Sequence, residues 1–175
     1  MLGAFDPARM LEVLVRHEVD FVVIGGFAAW LQGAPIVTVD LDLVFDHDPG
    51  NVRRLVAALR ELRAIYRDPA GRRIEPDEGK LASRAGAGHH LLRTDAGDLD
   101  VLREAAGVGY RDLSSTAIEF QIEGLKVRLA SLRQIIELKE RAGRPKDLAA
   151  LPTLRAALED GGNDPPADRE GDGGD

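Results

Sequence analysis

Two aspartates alternate with apolar residues in the segment from Ile36 to Phe45, and this alternation restricts what the segment can form. Side chains on a β-strand point to opposite faces with a period of two, so Asp40 and Asp42 share one face. The opposite face then receives the apolar side chains of Val39, Leu41 and Leu43. We therefore predict a strand from Ile36 to Phe45 with one acidic face and one buried face.

The two carboxylates on this strand need a compensating charge. At about 7 Å between their Cβ atoms, Asp40 and Asp42 repel each other unless a cation lies between them. Oxygen ligands suit Mg²⁺, which is commonly bound by a few carboxylates together with water and substrate phosphates. An isolated Asp-x-Asp is more typical of an ordinary solvent-facing strand, so the choice depends on the surrounding sequence.

A glycine pair upstream supplies that context. The apolar run Phe21 to Ile24 predicts a buried strand, Gly25-Gly26 closes it, and a helix is expected from Phe27 to Leu31. Glycine lets the backbone approach a ligand closely, and amides at a helix start can receive phosphate oxygens. Thr38 falls on the face of Asp40 and is a weaker candidate for phosphate or sugar. The alternative is a plain strand-to-helix turn.

The order of the remaining elements predicts an α+β fold. Helices are expected from Pro7 to about His17 and from Pro49 onward, and residues 68–88 are expected to be irregular, with at most one short strand. Two hairpins and two C-terminal helices follow, which indicates a mixed β-sheet with helices packed on it. Residues 1–160 are expected to form a single domain and residues 161–175 an acidic, disordered tail rich in Gly, Pro and Asp.

Composition excludes several classes of protein. The chain has no cysteine, so it has neither disulfides nor a thiolate metal site, and no apolar run is long enough to cross a membrane. No secretion signal is evident, so a cytoplasmic location is expected. The net charge is −7, but seven acids and one base lie between Glu159 and Asp175. The near-neutral remainder does not predict a dedicated nucleic-acid binder.

The combination of Ile24-Gly25-Gly26 with Asp40 and Asp42 resembles the nucleotidyltransferase superfamily. The resemblance implies that both acids bind metal and that a later strand provides a third acid. Asp100 lies in the hydrophobic segment Leu99 to Leu102 and is the preferred candidate. Asp98 is the alternative, and its position after Gly97 predicts a solvated loop residue.

A narrower resemblance covers the C-terminal part. Ser131 to Lys139, followed by Arg144-Pro145-Lys146-Asp147, is similar to the lysine motif and the Arg-x-Lys-Asp motif of AbiEii-like nucleotidyltransferases, which include toxins of toxin–antitoxin systems. Lys139, Arg144 and Lys146 are then candidates to bind triphosphate charge. Lys139 can alternatively be a solvated residue at a helix end. Asp147 either positions Lys139 or caps the last helix.

The resemblance implies transfer of a nucleoside monophosphate from a nucleoside triphosphate (NTP) to an acceptor, with Asp40, Asp42 and Asp100 holding two Mg²⁺ or Mn²⁺ ions. Asp100 is expected on the acceptor side. The family suggests tRNA or protein as acceptor and a cognate antitoxin as partner. The alternative function is an inactive nucleotide-binding or interaction module of the same fold. Trp30 is expected to pack in the core.

Overall fold

A computed structural model of the chain describes residues 4–161, apart from the side chain of residue 87. The elements, in chain order, are α1 (Pro7–Arg16), β1 (Phe21–Ile24), α2 (Gly25–Leu31), β2 (Asp40–Phe45), α3 (Pro49–Glu61), β3 (Ile65–Tyr66), α4 (Glu78–Ala82), β4 (His89–Thr94), β5 (Gly97–Leu102), β6 (Glu104–Ala105), β7 (Val108–Gly109), α5 (Tyr110–Ser115), β8 (Ile118–Ile122), β9 (Leu125–Leu129), α6 (Leu132–Ala142) and α7 (Pro145–Glu159). The predicted tail lies outside the described residues, except for its first residue.

Seven strands form one mixed sheet in the order β3-β4-β5-β2-β1-β9-β8. Strand β2 is antiparallel to β1 but parallel to β5, and β1 is parallel to β9. The pairs β4–β5 and β8–β9 are antiparallel hairpins, as predicted from the sequence. The predicted α+β arrangement, a mixed sheet with helices packed on it and two C-terminal helices, is confirmed.

The apolar residues of the central strands build the core. All four residues of β1 are buried, and Leu41, Leu43, Leu99 and Val101 have no exposed surface. These side chains belong to one cluster that also contains the apolar faces of α1 and α3. Since neighbours along a strand point to opposite faces, burial of these residues turns the acids between them toward the other side of the sheet.

The two closing helices are joined by a sharp turn. Ser131 and Gln134 form a reciprocal capping box at the start of α6. Gly143, with φ of 63°, ends α6 in the left-handed conformation, and Pro145 begins α7. This short connection brings the last turn of α6 beside the first turn of α7, where Lys139 and Asp147 lie.

A buried glutamine at the end of α2 connects this helix to the start of α6. The Gln32 side-chain amide donates to the carbonyls of Ala28 and Ala130, at 2.8 and 2.9 Å, and its oxygen accepts from the backbone of Leu132 at 3.0 Å. Gln32 is 6% exposed. One side chain therefore connects α2 to α6, the two helices that carry the glycine pair and Lys139.

We expect Gln32→Leu to destabilise the protein, because leucine replaces none of these hydrogen bonds and leaves buried backbone groups unpaired. The loss should be about 2–3 kcal/mol, or about 4–12 °C in melting temperature for a chain of this size. Thermal unfolding followed by circular dichroism measures it. Gln121→Leu, at an exposed position of β8, is the control. Equal melting temperatures for the two variants would contradict the anchoring role.

Several details differ from the sequence predictions. The acidic strand begins at Asp40 rather than Ile36, and α2 begins at Gly25 rather than Phe27. Between residues 68 and 88 the chain forms α4 and a 3₁₀ helix, Ala85–Gly88, without a strand. Trp30 is 51% exposed, so its predicted core position is wrong; it stacks on Phe27 with ring centroids 5.8 Å apart. Within residues 4–161, no helix has the length and apolar character needed to cross a bilayer.

Candidate active site

Three aspartates meet on one face of the sheet. In the parallel pair β2–β5, Asp42 lies opposite Asp100 and Asp40 opposite Asp98. Each of Asp40, Asp42 and Asp100 offers a carboxylate oxygen, and these three oxygens lie within 4.8 Å of one another. The predicted acidic face of β2 is therefore completed by β5, and the structure places Asp100 rather than Asp98 in the cluster.

The carboxylates repel one another in a partly buried position. Burial, together with the negative charges of Asp40 and Asp100, raises the pKa of Asp42 to about 7. Burial also raises the pKa of Asp100 to about 6, against the opposing charge of Arg67. A divalent cation would relieve this repulsion, and three carboxylate oxygens are a ligand set that suits Mg²⁺ or Mn²⁺. The residues thus fit the implied metal.

The raised pKa of Asp42 predicts a pH-dependent stability difference in EDTA. An aspartate with a folded pKa of about 7 and an unfolded pKa of about 3.9 makes the folded state lose stability as pH rises between these values. Asp42→Asn should therefore be more stable than the parent above about pH 7, by about 2–4 kcal/mol, and equally stable near about pH 4.

Chemical denaturation across this pH range tests the prediction. Asp112→Asn, which makes the same substitution at an exposed position of α5, is the control variant. A difference between Asp42→Asn and the parent that grows as pH falls would contradict the assignment of the raised pKa to Asp42.

The glycine pair lies directly against the carboxylates. Gly25 has φ of +70°, and a Cβ at this position would lie 2.4 Å from Oδ2 of Asp42. Glycine is required here for both conformation and space. A Cβ at Gly26 would instead make an ordinary contact of 3.5 Å with Thr38. The two glycines therefore have unequal roles, which the sequence motif does not reveal.

Thr38 lies outside the strand on which it was predicted. Its hydroxyl donates to the carbonyl of Asp40 at 2.9 Å and so shapes the entry to β2. Val37 and Val39 are 93% and 70% exposed, so the predicted placement of Val39 on the buried face is wrong. The period-two pattern starts only at Asp40, because the preceding residues pair with no strand.

A cationic group from α6 and α7 faces the carboxylates. Lys139 Nζ lies 3.3 Å from Asp147, and Arg144 Nε donates to Asp147 at 2.6 Å. Burial raises the pKa of Asp147, but the hydrogen bond from Arg144 and the charge of Lys139 outweigh it and leave the pKa lowered. Asp147 is 1% exposed, and its side chain caps no helix. Its contacts favour positioning of Lys139 over helix capping.

All of these groups line one cleft of about 700 Å³. One side carries the glycine pair and the cations Lys139, Arg144 and Lys146. The opposite side, beyond Asp100, is formed by apolar residues and one histidine, namely His89, Leu91, Leu102, Ala105 and Ala106. The cleft therefore has a cationic side suited to phosphates and a weakly charged side on the other flank of the carboxylates.

Two features of this face were not foreseen. Arg67, just after β3, donates to Asp98 at 3.1 Å and also to Asp100. Asp98 belongs to β5 and also lies 3.6 Å from Arg93, so its prediction as a solvated loop residue is wrong. The alternation Asp98-Leu99-Asp100-Val101 was a usable signal for Asp98. No sequence signal indicated Arg67, because the preceding strand β3 has only two residues and shows no periodicity.

Comparisons with known proteins identify the architecture. No protein-family model and no curated protein matches the sequence. A Thermotoga maritima protein assigned as a nucleotidyltransferase superposes with a TM-score of 0.53 at 17% identity, over 90% of this chain and 97% of that one. The lincosamide antibiotic adenylyltransferase LnuA, with lincomycin bound, gives 0.55 at 12% identity over 89% and 99%. This chain has the nucleotidyltransferase fold.

A further structure with the nucleotidyltransferase fold agrees. The antibiotic-resistance protein ANT(2″)-Ia, in complex with adenylyl-2″-tobramycin, superposes with a TM-score of 0.54 at 17% identity, over 87% of each chain. At these levels of sequence identity, the similarity concerns the backbone fold alone.

Proposed function

We propose that the protein is a metal-dependent nucleotidyltransferase, which transfers a nucleoside monophosphate from an NTP to an acceptor hydroxyl or phosphate. The observation that carries this proposal is the cluster of Asp40, Asp42 and Asp100, whose ligand oxygens lie within 4.8 Å of one another in a cleft that also contains Lys139. Carboxylates alone would repel a triphosphate. Carboxylates that share divalent cations with it attract it.

The residues divide into roles by their positions. Asp40, Asp42 and Asp100 would hold two Mg²⁺ or Mn²⁺ ions. When bound, such ions offset phosphate charge and lower the proton affinity of an acceptor oxygen. Lys139, with Arg144 and Lys146 beside it, offsets triphosphate charge that remains.

Asp147 and the glycine pair shape the cationic side of the cleft, where the nucleotide would bind. Asp147 holds the ammonium of Lys139 at 3.3 Å and so restricts where that charge lies. Gly25 leaves room beside Asp42, whereas Gly26 and Thr38 line the same wall. An NTP bound along this wall directs its α-phosphate toward the carboxylates.

In the reaction, the acceptor oxygen forms a bond to the α-phosphorus while the bond from this phosphorus to the bridging oxygen breaks. Pyrophosphate carries away the electron pair, and the acceptor proton passes to solvent or to a carboxylate. Asp100 borders the weakly charged side of the cleft. We therefore assign Asp100 to the acceptor side.

The motif resemblance supports a proposal for the acceptor and the biological role. The Lys139 segment and Arg144 to Asp147 resemble AbiEii-like toxins, which leads us to propose a cytoplasmic toxin with a cognate antitoxin and tRNA or protein as acceptor. The structural neighbours ANT(2″)-Ia and LnuA are antibiotic-modifying proteins. Small hydroxylated compounds therefore belong in the same acceptor panel.

Labelled triphosphates test the proposal. Each NTP, labelled at either the α or the γ phosphate, is incubated with Mg²⁺ and with total tRNA, total protein or aminoglycoside and lincosamide acceptors. We expect α label in one acceptor and γ label in pyrophosphate, both abolished by EDTA. Binding of NTP without transfer to any acceptor would favour the alternative, an inactive module of the same fold.

A further inference from the structure

One row of side chains crosses four strands of the sheet and ends at the carboxylate cluster. Asp42 lies opposite Asp100, and Asp100 lies opposite Leu91. The backbone amide of Arg67 donates to the carbonyl of Leu91 at 3.0 Å, which extends the pairing of β3 with β4 by one residue. Arg67 is therefore in the same row as Asp100, two strands away, and only a long side chain reaches across Leu91.

The guanidinium of Arg67 joins two carboxylates. Its Nη1 donates to Oδ2 of Asp98 at 3.1 Å, and its Nη2 donates to Oδ1 of Asp100. The side chains of Arg67 and Asp100 are 25% and 14% exposed, so water competes weakly for these bonds. Asp98 is in turn 3.6 Å from Arg93 on its other oxygen. The result is an ordered chain of charges that ends at Asp100.

We propose that Arg67 is a positioning residue that holds Asp100 by Oδ1 and keeps Oδ2 available for the cation shared with Asp40 and Asp42. This inference rests on the proposed function, because it concerns the same metal site. Asp98 anchors the guanidinium from the other side. Without Arg67, Asp98 and Asp100 are two like charges on one strand face, and repulsion turns Asp100 away from its ligand position.

The geometry requires an arginine rather than any cation. A guanidinium presents N–H groups in a rigid planar fork, so it can donate to two carboxylates at once in fixed directions. An ammonium is a compact point charge on a flexible stem, and it would settle between the acids or on one of them. Charge alone therefore cannot replace the bridge.

The test combines Mn²⁺ binding with kinetics. Mn²⁺ affinity is measured from the free-ion signal in electron paramagnetic resonance, and kcat and KM are measured for the labelled NTP. For Arg67→Gln we expect Mn²⁺ affinity and kcat to fall about 10-fold or more, as for other residues that orient metal ligands. KM for the NTP should stay within about twofold, because the cations of α6 and α7 are untouched.

Three further variants sharpen the result. Arg67→Lys should recover less than about a third of the lost Mn²⁺ affinity, because it lacks the fork. Asp98→Asn, a smaller change that preserves the shape of the strand, should lower affinity in the same direction as Arg67→Gln. Arg133→Gln, which removes the same charge at an exposed position of α6 outside this chain of charges, should leave Mn²⁺ affinity within about twofold of the parent.

The outcomes separate this inference from the proposed function. Parent protein that binds Mn²⁺ while Arg67→Gln binds it equally well overturns the positioning role alone. Full recovery by Arg67→Lys, or a change confined to KM for the acceptor, overturns it too. Parent protein that binds no Mn²⁺ overturns both proposals together.

Discussion

We expect Asp42→Asn to lower nucleotide transfer about 1000-fold or more, which corresponds to about 4 kcal/mol of lost transition-state stabilisation. The reason is that Asp42 is the central member of the cluster, opposite Asp100 in the sheet and next but one to Asp40 on β2. An amide offers one neutral oxygen in place of a carboxylate. Label transfer from the α-labelled NTP measures the loss.

The control for this variant is Asp112→Asn, which removes the same charge at an exposed position of α5. It should transfer label at the parent rate. Because Asp42→Asn is also expected to be more stable than the parent in EDTA, a low rate cannot be attributed to unfolding. Retention of more than about a tenth of the parent rate by Asp42→Asn would contradict its role as a metal ligand.

Gly25→Ala should lower transfer about 100-fold, the order of effect expected when a reacting group moves by about 1 Å. Its new Cβ would lie 2.4 Å from Oδ2 of Asp42, so the carboxylate or the backbone must shift. The positive φ of Gly25 adds backbone strain of about 1–2 kcal/mol. Initial rates at saturating NTP and Mg²⁺ measure the loss.

A control variant at Gly33 distinguishes the effect of backbone strain from the effect of displacing the Asp42 carboxylate. Gly33 also has positive φ, +94°, but a Cβ there meets no atom within 4 Å. Gly33→Ala should lose stability by a similar amount and keep the parent rate. If both variants lose activity equally, backbone strain rather than contact with Asp42 explains the effect, and the close approach of Gly25 has no functional meaning.

Sequence reasoning was most successful where periodicity was strong. The alternation from Asp40 to Leu43 predicted which side chains share a face, and the hydrophobic surroundings of Asp100 predicted a strand residue. Helices α1, α3 and α6 begin with a side-chain cap and carry an apolar repeat, and both hairpins have turn residues between their strands. In these segments local preference and tertiary packing agree, so the pattern is sufficient.

The features that the sequence did not predict depend on contacts between segments that are distant along the chain. The parallel pairing of β2 with β5 brings Asp42 beside Asp100, and no local pattern determines which strands become neighbours. Arg67 reaches the site from a two-residue strand that has no detectable periodicity. Trp30 was misplaced because a seven-residue helix presents one side to solvent, and the sequence does not show which side.

The proposed function requires that the aspartate cluster binds an NTP through a divalent cation. Calorimetric titration of the parent and of Asp42→Asn with a non-hydrolysable NTP, first in Mg²⁺ and then in EDTA, measures this binding. We expect the parent to bind the nucleotide only when Mg²⁺ is present, and Asp42→Asn to lose most of this affinity. Binding that is equally tight in EDTA, or unchanged in Asp42→Asn, would contradict it.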